Sequence, residues 1–205
     1  MRMLQRYRDG TRMNHWFIAL MFFAAGLSGL AFFHPSLFFL SNLFGGGSWA
    51  RILHPFLGVL MVLGFIGLFA RVAGDNLVNA NDRQWRRQMG RMLRGHKDGM
   101  PPVGKYNYGQ KLVFWLMTLS LLVLVVTGFM FWRPWFTPYF TVEVMRIAVL
   151  AHAAAAVVLI AVVIMHIYAA IWVKGTMRAM TRGTVSEGWA RTNHPLWYEE
   201  MTKGR

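Results

Sequence analysis

Cysteine is absent from this chain of 205 residues, and its absence excludes several kinds of site. Without thiolates the chain has no iron–sulfur cluster of its own, no cysteine-based zinc site, no disulfide and no covalently attached c-type haem. Any metal bound here must therefore be held by histidine, methionine or oxygen ligands, and any other redox centre must come from a partner.

Acidic residues are also scarce. The chain has only 8 Asp and Glu residues against 22 Lys and Arg residues, so its formal net charge is +14, while 56% of its residues are hydrophobic. The basic residues flank long apolar runs, which favours contact with anionic membrane lipids and argues against nucleic acid as a partner. This composition indicates an integral membrane protein.

Four apolar runs are long enough to span a bilayer: approximately residues 15–33, 49–70, 112–132 and 144–173. Lys and Arg are concentrated in residues 1–14, in a basic loop at 71–111 and in a tail at 174–205. The positive-inside rule therefore predicts that both termini, the loop and the tail are cytoplasmic. We expect one all-α membrane domain over residues 1–205, built as a bundle of four transmembrane helices.

Part of the basic loop has apolar residues at regular intervals. In residues 82–94, Trp85, Met89 and Met92 recur at helical spacing among basic residues. The pattern fits a basic helix lying on the membrane surface. A solvated loop that contacts a partner subunit is an equally good interpretation.

The predicted topology sorts four histidines into two pairs. His152 and His166 are fourteen residues apart in the last run, which corresponds to a rise of about 21 Å along one helix face. His54 lies at the outer end of the second run and His15 at the inner end of the first. We therefore predict an outer pair, His54 with His152, and an inner pair, His15 with His166. Each pair joins two helices at one depth, as bis-histidine ligation of a b-type haem requires.

The match in depth is less good for the inner pair. His15 lies in the first turn of its apolar run, whereas His166 lies about 10 Å from the cytoplasmic end of the last run. Intramembrane histidines also form interhelical hydrogen bonds, or line the path of a haem-free transporter or channel. His34 competes with His54 as an outer ligand, while His96 and His194 are expected to be solvated or to face a partner.

Several short motifs occur in order along the chain. They are NHW around His15, ARILHPFLGV around His54, KYNYGQKLVFW, VTGFMFWRPWF, LAHAAAAV around His152, MHIYAAIWVKGT around His166 and the terminal HPLWY. Together they resemble the cytochrome b (gamma) subunit of membrane-bound respiratory formate dehydrogenases of the formate dehydrogenase-N type. The resemblance implies four transmembrane helices with two b haems, the outer ligated by His54 and His152 and the inner by His15 and His166.

The resemblance also implies a quinone site beside the inner haem. Asn107, Gly109 and Gln110 of the YNYGQ stretch would lie there with His166, and the substrate would be menaquinone or ubiquinone. Amide side chains can hydrogen-bond a quinone carbonyl. On the residues alone, however, capping of the following helix is the alternative role for Asn107.

The resemblance further implies an oxidoreductase complex in the bacterial inner membrane. A molybdopterin or tungstopterin (alpha) subunit would oxidise formate, and an iron–sulfur (beta) subunit would pass the electrons to the outer haem. This chain would have no catalytic residue for formate and would serve in electron transfer and quinone reduction. The related cytochromes of nickel–iron hydrogenases and of thiosulfate or polysulfide reductases also use histidine pairs, and they are the alternative interpretation.

Overall fold

The structure is a computed structural model that describes residues 2–94, 99–133 and 135–203. His96, with its predicted solvated or partner-facing position, lies outside these residues. The described α-helices are α1 (Asp9–Phe33), α2 (Gly47–Val72), α3 (Ala80–Leu93), α4 (Tyr108–Met130), α5 (Val142–Trp172), α6 (Thr176–Arg182), α7 (Glu187–Asn193) and α8 (Pro195–Lys203). Short 3-10 helices cover Pro35–Phe44, Gly74–Asn76 and Thr137–Tyr139, and the strands are β1 (Met3–Gln5) and β2 (Thr184–Ser186).

Four of these helices, α1, α2, α4 and α5, are long and apolar enough to cross a membrane. Their mean hydropathy over the most apolar 18-residue window lies between 2.0 and 2.9. Each has at least 23 residues, so each is at least about 34 Å long and exceeds the roughly 30 Å hydrocarbon core of a bilayer. At most 17% of any such window is buried inside the protein, which leaves large apolar side chains facing outward for lipid. The prediction of four spanning helices is confirmed.

The spanning helices begin earlier than the apolar runs do. Helix α1 begins at Asp9 and α4 begins at Tyr108, whereas the apolar runs begin at about residues 15 and 112. At the start of α4, the backbone N–H of Asn107 donates to Gln110 Oε1 (3.0 Å) and the N–H of Gln110 donates to Asn107 Oδ1 (2.8 Å). This reciprocal capping box satisfies backbone donors of the first turn, so polar residues extend the helix beyond its apolar part.

The contacts within the chain divide it into two compact units. The four-helix unit consists of Met13–Phe69 and Leu116–Ile167. The terminal unit consists of Met1–Arg12, Ala70–Trp115 and Tyr168–Arg205. All four histidines of the outer and inner pairs belong to the four-helix unit.

The terminal unit joins the two ends of the chain. Strand β1 pairs antiparallel with β2, with Leu4 opposite Val185. The backbone N–H of Arg6 extends this pairing by donating to the Gly183 carbonyl (2.8 Å). Leu4 and Val185 form a small apolar core with one residue from each of α6, α7 and α8: Ala179, Ala190 and Trp197. Because both strands belong to one sheet, residues 3–5 and 184–186 lie side by side, which is consistent with the prediction that residues 1–14 and the tail share one side of the membrane.

Helix α3 occupies the stretch for which a surface helix and a solvated loop were both predicted, and the helical interpretation is correct. It begins with another capping box, in which the N–H of Asn79 donates to Asp82 Oδ2 (2.8 Å) and the N–H of Asp82 donates to Asn79 Oδ1 (3.0 Å). Asp82 also forms a buried ion pair with Lys111 in the first turn of α4 (2.6 Å). This ion pair ties α3 to α4 within the terminal unit.

Candidate functional site

The two predicted histidine pairs face each other in the four-helix unit. In the outer pair, the ring centres of His54 on α2 and His152 on α5 are 6.2 Å apart. In the inner pair, the ring centres of His15 on α1 and His166 on α5 are also 6.2 Å apart. The structure therefore brings together the pairs that topology predicts, and α5 contributes one histidine to each.

The spacing within each pair suits one iron between two imidazoles. Metal–nitrogen bonds of about 2.0–2.1 Å place the ring centres of two opposed imidazoles roughly 6 Å apart, with the metal midway between them. Among the described residues, no three histidine or acidic side chains lie close enough together to hold one metal ion. A haem needs only two protein ligands, because the porphyrin supplies the other four. The residues present therefore fit a haem.

The histidines of the outer pair are oriented by hydroxyl groups. His54 Nδ1 lies 2.9 Å from Ser28 Oγ and 3.1 Å from the Ala25 carbonyl oxygen, both on α1. His152 Nδ1 lies 3.0 Å from Thr127 Oγ1 on α4. In both rings Nδ1 is occupied by the protein, which leaves Nε2 free to bind a metal.

A glycine follows each of these hydroxyl residues and lies beside the same imidazole. A Cβ atom at Gly29 would lie 3.0 Å from His54 Cε1, and one at Gly128 would lie 3.4 Å from His152 Cε1. A contact of 3.0 Å is tighter than carbon atoms normally make, so a side chain at position 29 would press on the His54 ring. At Gly128 the contact would be close to an ordinary van der Waals distance, so the His152 ring is less restricted there.

The inner pair has different surroundings. His15 Nδ1 is buried, and none of the described residues forms a hydrogen bond with it. The neighbouring side chain of Asn14 instead donates from Nδ2 to the Gly64 carbonyl on α2 (3.0 Å). Helix α1 begins at Asp9, so His15 lies in the second turn of the helix, and this explains how it reaches the depth of His166.

Two of the remaining histidines have structural roles. His34, the predicted competitor for the outer ligand position, caps the 3-10 helix Pro35–Phe44, because its Nδ1 accepts from the N–H of Ser36 (3.2 Å). His194 is only 2% exposed, so the expectation that it is solvated or faces a partner is wrong. Its Nδ1 donates to the Gly104 carbonyl (2.7 Å), and its Nε2 accepts from Arg6 Nη2 (3.4 Å).

Arg6 and His194 form the centre of a polar and aromatic cluster in the terminal unit. The Arg6 guanidinium lies within 6 Å of four ring centres, those of Trp197 (4.7 Å), Trp189, Tyr7 and Tyr106. Burial, together with the neighbouring guanidinium, lowers the pKa of His194 to about 4. Burial also raises the pKa of Tyr106. The histidine is therefore neutral and the phenol is protonated at pH 7. Sequence reasoning missed this cluster, although the terminal HPLWY motif contains two of its members.

The predicted quinone residues Asn107, Gly109 and Gln110 lie together at the start of α4 in the terminal unit. The Asn107 side chain caps helix α4, which was the alternative role predicted for this residue. Asn107 also lines a polar cavity within this unit, with charged residues that include Asp75, Lys105 and Glu200. Quinone binding by these three residues and His166 stays a prediction.

Comparison with known proteins agrees with the helices and the paired histidines. The prokaryotic cytochrome b561 family matches residues 6–183. The chain is 44% identical over 198 residues to the cytochrome b556(fdo) subunit of formate dehydrogenase from Escherichia coli K12, covering 97% of this chain and 93% of the relative. It is 40% identical over 202 residues to the nitrate-inducible cytochrome b556(Fdn) subunit of the same strain, covering 98% and 93%. It is also 40% identical over 195 residues to the formate dehydrogenase cytochrome b556 subunit of Haemophilus influenzae, covering 95% and 82%.

These relatives confirm the resemblance that the sequence motifs indicated. The family implies that the chain binds b-type haem, and the histidine pairs fit that group. Together with the four spanning helices, the relatives identify a multi-pass protein of the bacterial inner membrane. The chain therefore belongs to the prokaryotic cytochrome b561 family, in the group of formate dehydrogenase cytochrome b556 subunits.

Proposed function

We propose that this chain is the di-haem membrane subunit of a formate dehydrogenase complex. It receives electrons from an iron–sulfur subunit, carries them across the inner membrane and reduces menaquinone or ubiquinone near the cytoplasmic side. The observation that carries this proposal is the presence of two facing histidine pairs, each with ring centres 6.2 Å apart, at two depths of α5. The names of the relatives favour formate over hydrogen, thiosulfate or polysulfide as the electron donor.

The four histidines have separate roles in this proposal. His54 and His152 hold the outer haem, and His15 and His166 hold the inner haem. Each bound haem supplies a one-electron ferric–ferrous couple. The chain provides the axial ligands and keeps the two sites apart on one rigid helix, about 21 Å along α5. Formate oxidation belongs to another subunit, which contains molybdenum or tungsten.

Quinone reduction on the cytoplasmic side makes the reaction electrogenic. The haems that the two histidine pairs would hold would carry electrons inward, and protons for the quinol would be taken from the cytoplasm, so that net charge would cross the membrane. The polar cavity of the terminal unit supports this proposal, because it places charged side chains in the same cavity as Asn107: Asp75, Lys105 and Glu200. Asn107, Gly109, Gln110 and His166 are the proposed quinone residues.

The ligand assignment is tested by counting haems in alanine variants of the intact complex. His152→Ala is expected to lose mainly the outer haem and His166→Ala mainly the inner one, as measured by the split alpha band of the reduced cytochrome. The matched control is His34→Ala, because this histidine caps a 3-10 helix and should leave both haems in place. Two haems retained in both ligand variants would show that the assignment is wrong. Wild-type protein without b-haem bands would favour a haem-free transporter.

The quinone assignment needs variants that preserve the capping box. Asn107→Ser keeps a good helix cap and removes the amide N–H₂, whereas Asn107→Ala removes both. If Asn107 binds quinone, both variants should slow quinone reduction and keep normal haem content. Normal turnover in Asn107→Ser, with a defect only in Asn107→Ala, would assign Asn107 to capping alone.

A further inference from the structure

Each hydroxyl group beside the outer pair has one proton to donate, and each donates it to a backbone carbonyl. Ser28 Oγ donates to the Ala25 carbonyl of its own helix (3.0 Å). Thr127 Oγ1 donates to the Val123 carbonyl of its own helix (2.6 Å). Each hydroxyl oxygen is therefore available only as an acceptor toward the imidazole next to it.

This arrangement favours one tautomer in both outer histidines. His54 Nδ1 faces a hydroxyl oxygen at 2.9 Å and the Ala25 carbonyl oxygen at 3.1 Å, and a carbonyl can only accept. His152 Nδ1 faces the hydroxyl oxygen of Thr127 at 3.0 Å. His54 Nδ1 must therefore carry the proton, and the Thr127–Val123 hydrogen bond favours the same tautomer in His152, so that both Nε2 atoms keep the lone pair that a metal needs. Ser28 and Thr127 are themselves buried, so water does not compete for these hydrogen bonds.

In the inner pair, His15 has no corresponding hydrogen bond at Nδ1 among the described residues, although this atom is buried. A ligand imidazole that donates a hydrogen bond from Nδ1 becomes more basic and stabilises the ferric iron, which lowers the reduction potential of its haem. The two pairs therefore differ in a property that sets redox potential, although their ring separations are equal.

We propose that Ser28 and Thr127 are positioning residues that hold the outer histidines as Nε2 ligands and lower the potential of the outer haem below that of the inner haem. The inference rests on the proposed haem ligation. It adds a direction to electron transfer, because a lower potential at the outer site would make transfer from the outer to the inner site favourable.

The test compares hydroxyl-deleting with hydroxyl-keeping variants in membranes that contain the complete complex. Thr127→Val removes the acceptor and nearly preserves the side-chain shape, whereas Thr127→Ser keeps the acceptor. Ser28→Ala removes the second acceptor. The matched control is Ser120→Ala, because Ser120 is an equally buried hydroxyl two turns away on α4. The readouts are haem content and potentiometric titration of the alpha band, with the outer component identified as the one that His54→Ala removes.

The outer haem is expected to become easier to reduce in Thr127→Val, with a change of roughly threefold to tenfold in the reduction equilibrium, where tenfold equals 59 mV for a one-electron couple. A smaller change in the same direction is expected in Ser28→Ala, because the Ala25 carbonyl still accepts from His54 Nδ1. The inner haem should not change, and Thr127→Ser and Ser120→Ala should titrate like the wild type. Loss of the outer haem in Thr127→Val, with recovery in Thr127→Ser, would also support the positioning role.

The results that would overturn this inference differ from those that would refute the proposed function. Two haems with unchanged potentials in Thr127→Val and Ser28→Ala would overturn this inference and leave the ligand assignment intact. An equal shift of both haems, or the same shift in Ser120→Ala, would indicate a general packing effect and would also overturn it. Wild-type complex without two b-haem components would instead refute the proposed haem ligation.

Discussion

Acidification is expected to loosen the pairing of β1 with β2, because His194 accepts a second proton less readily in the folded state than in the unfolded state. Its Nε2 lies 3.4 Å from Arg6 Nη2, so a proton there would set two cationic donors against each other. Its pKa is about 4 in the folded chain, against about 6.5 in an unfolded one. The unfolded state therefore binds more protons between these values, and stability falls as the pH drops through this window.

The size of the effect follows from the two pKa values. Between pH 7 and pH 5, preferential protonation of the unfolded state costs about 2 kcal/mol, or roughly a twentyfold increase in the open population. The loss should level off below about pH 4, where both states carry the proton. Hydrogen–deuterium exchange of peptides that cover β1 and β2 measures the open population directly, after correction for the intrinsic dependence of exchange on pH.

The control is His194→Gln, whose amide can still donate to the Gly104 carbonyl and accept from Arg6 but does not titrate. In this variant, the protection of β1 and β2 amides from hydrogen exchange should be nearly constant between pH 7 and pH 5. If His194→Gln and the wild type lose protection in parallel, another group is responsible and the reasoning about His194 is refuted. Trp189, whose ring centre lies 5.0 Å from that of His194, offers a second probe through its fluorescence.

Two further substitutions test close contacts within each unit. Gly29→Ala should reduce the content of the outer haem, because its Cβ would lie 3.0 Å from His54 Cε1, whereas Gly26→Ala on the same helix meets nothing within 4 Å and should keep both haems. Equal haem content in the two variants would contradict the close approach. Lys111→Met leaves the Asp82 carboxylate buried without its cation (2.6 Å in the native pair) and should lower the free energy of unfolding by about 3–5 kcal/mol. Thermal unfolding measures this change, and the double variant with Asp82→Asn should recover most of it. No recovery would mean that Lys111 acts through packing.

The helices and the histidine pairs could be predicted from the sequence because both depend on short-range patterns. Apolar runs reveal spanning helices, and the number of spans then sets the depth of every histidine. The one apparent mismatch, between His15 and His166, came from equating the start of α1 with the start of its apolar run. The polar first turn from Asp9 moves His15 deeper into the helix.

The terminal unit was not predictable by the same reasoning. Strands β1 and β2 have three residues each, too few to show an alternating pattern, and they pair across nearly the whole length of the chain. His194 was misjudged for the same reason, because its partner Arg6 lies 188 residues away. The roles of Ser28 and Thr127 were also hidden, since a hydroxyl in an apolar helix usually bonds only to its own backbone.

The pairing of β1 with β2 also has a consequence for biosynthesis. Residues 3–5 are made long before their partners at 184–186, which follow the last spanning helix. Strand β1 must therefore stay without its partner, with Leu4 exposed, until residues 184–186 have been made. A product truncated before residue 184 would keep this edge open and would be recognisable to quality-control proteases. Closure of the terminal unit thus marks a chain whose four spans have all been inserted.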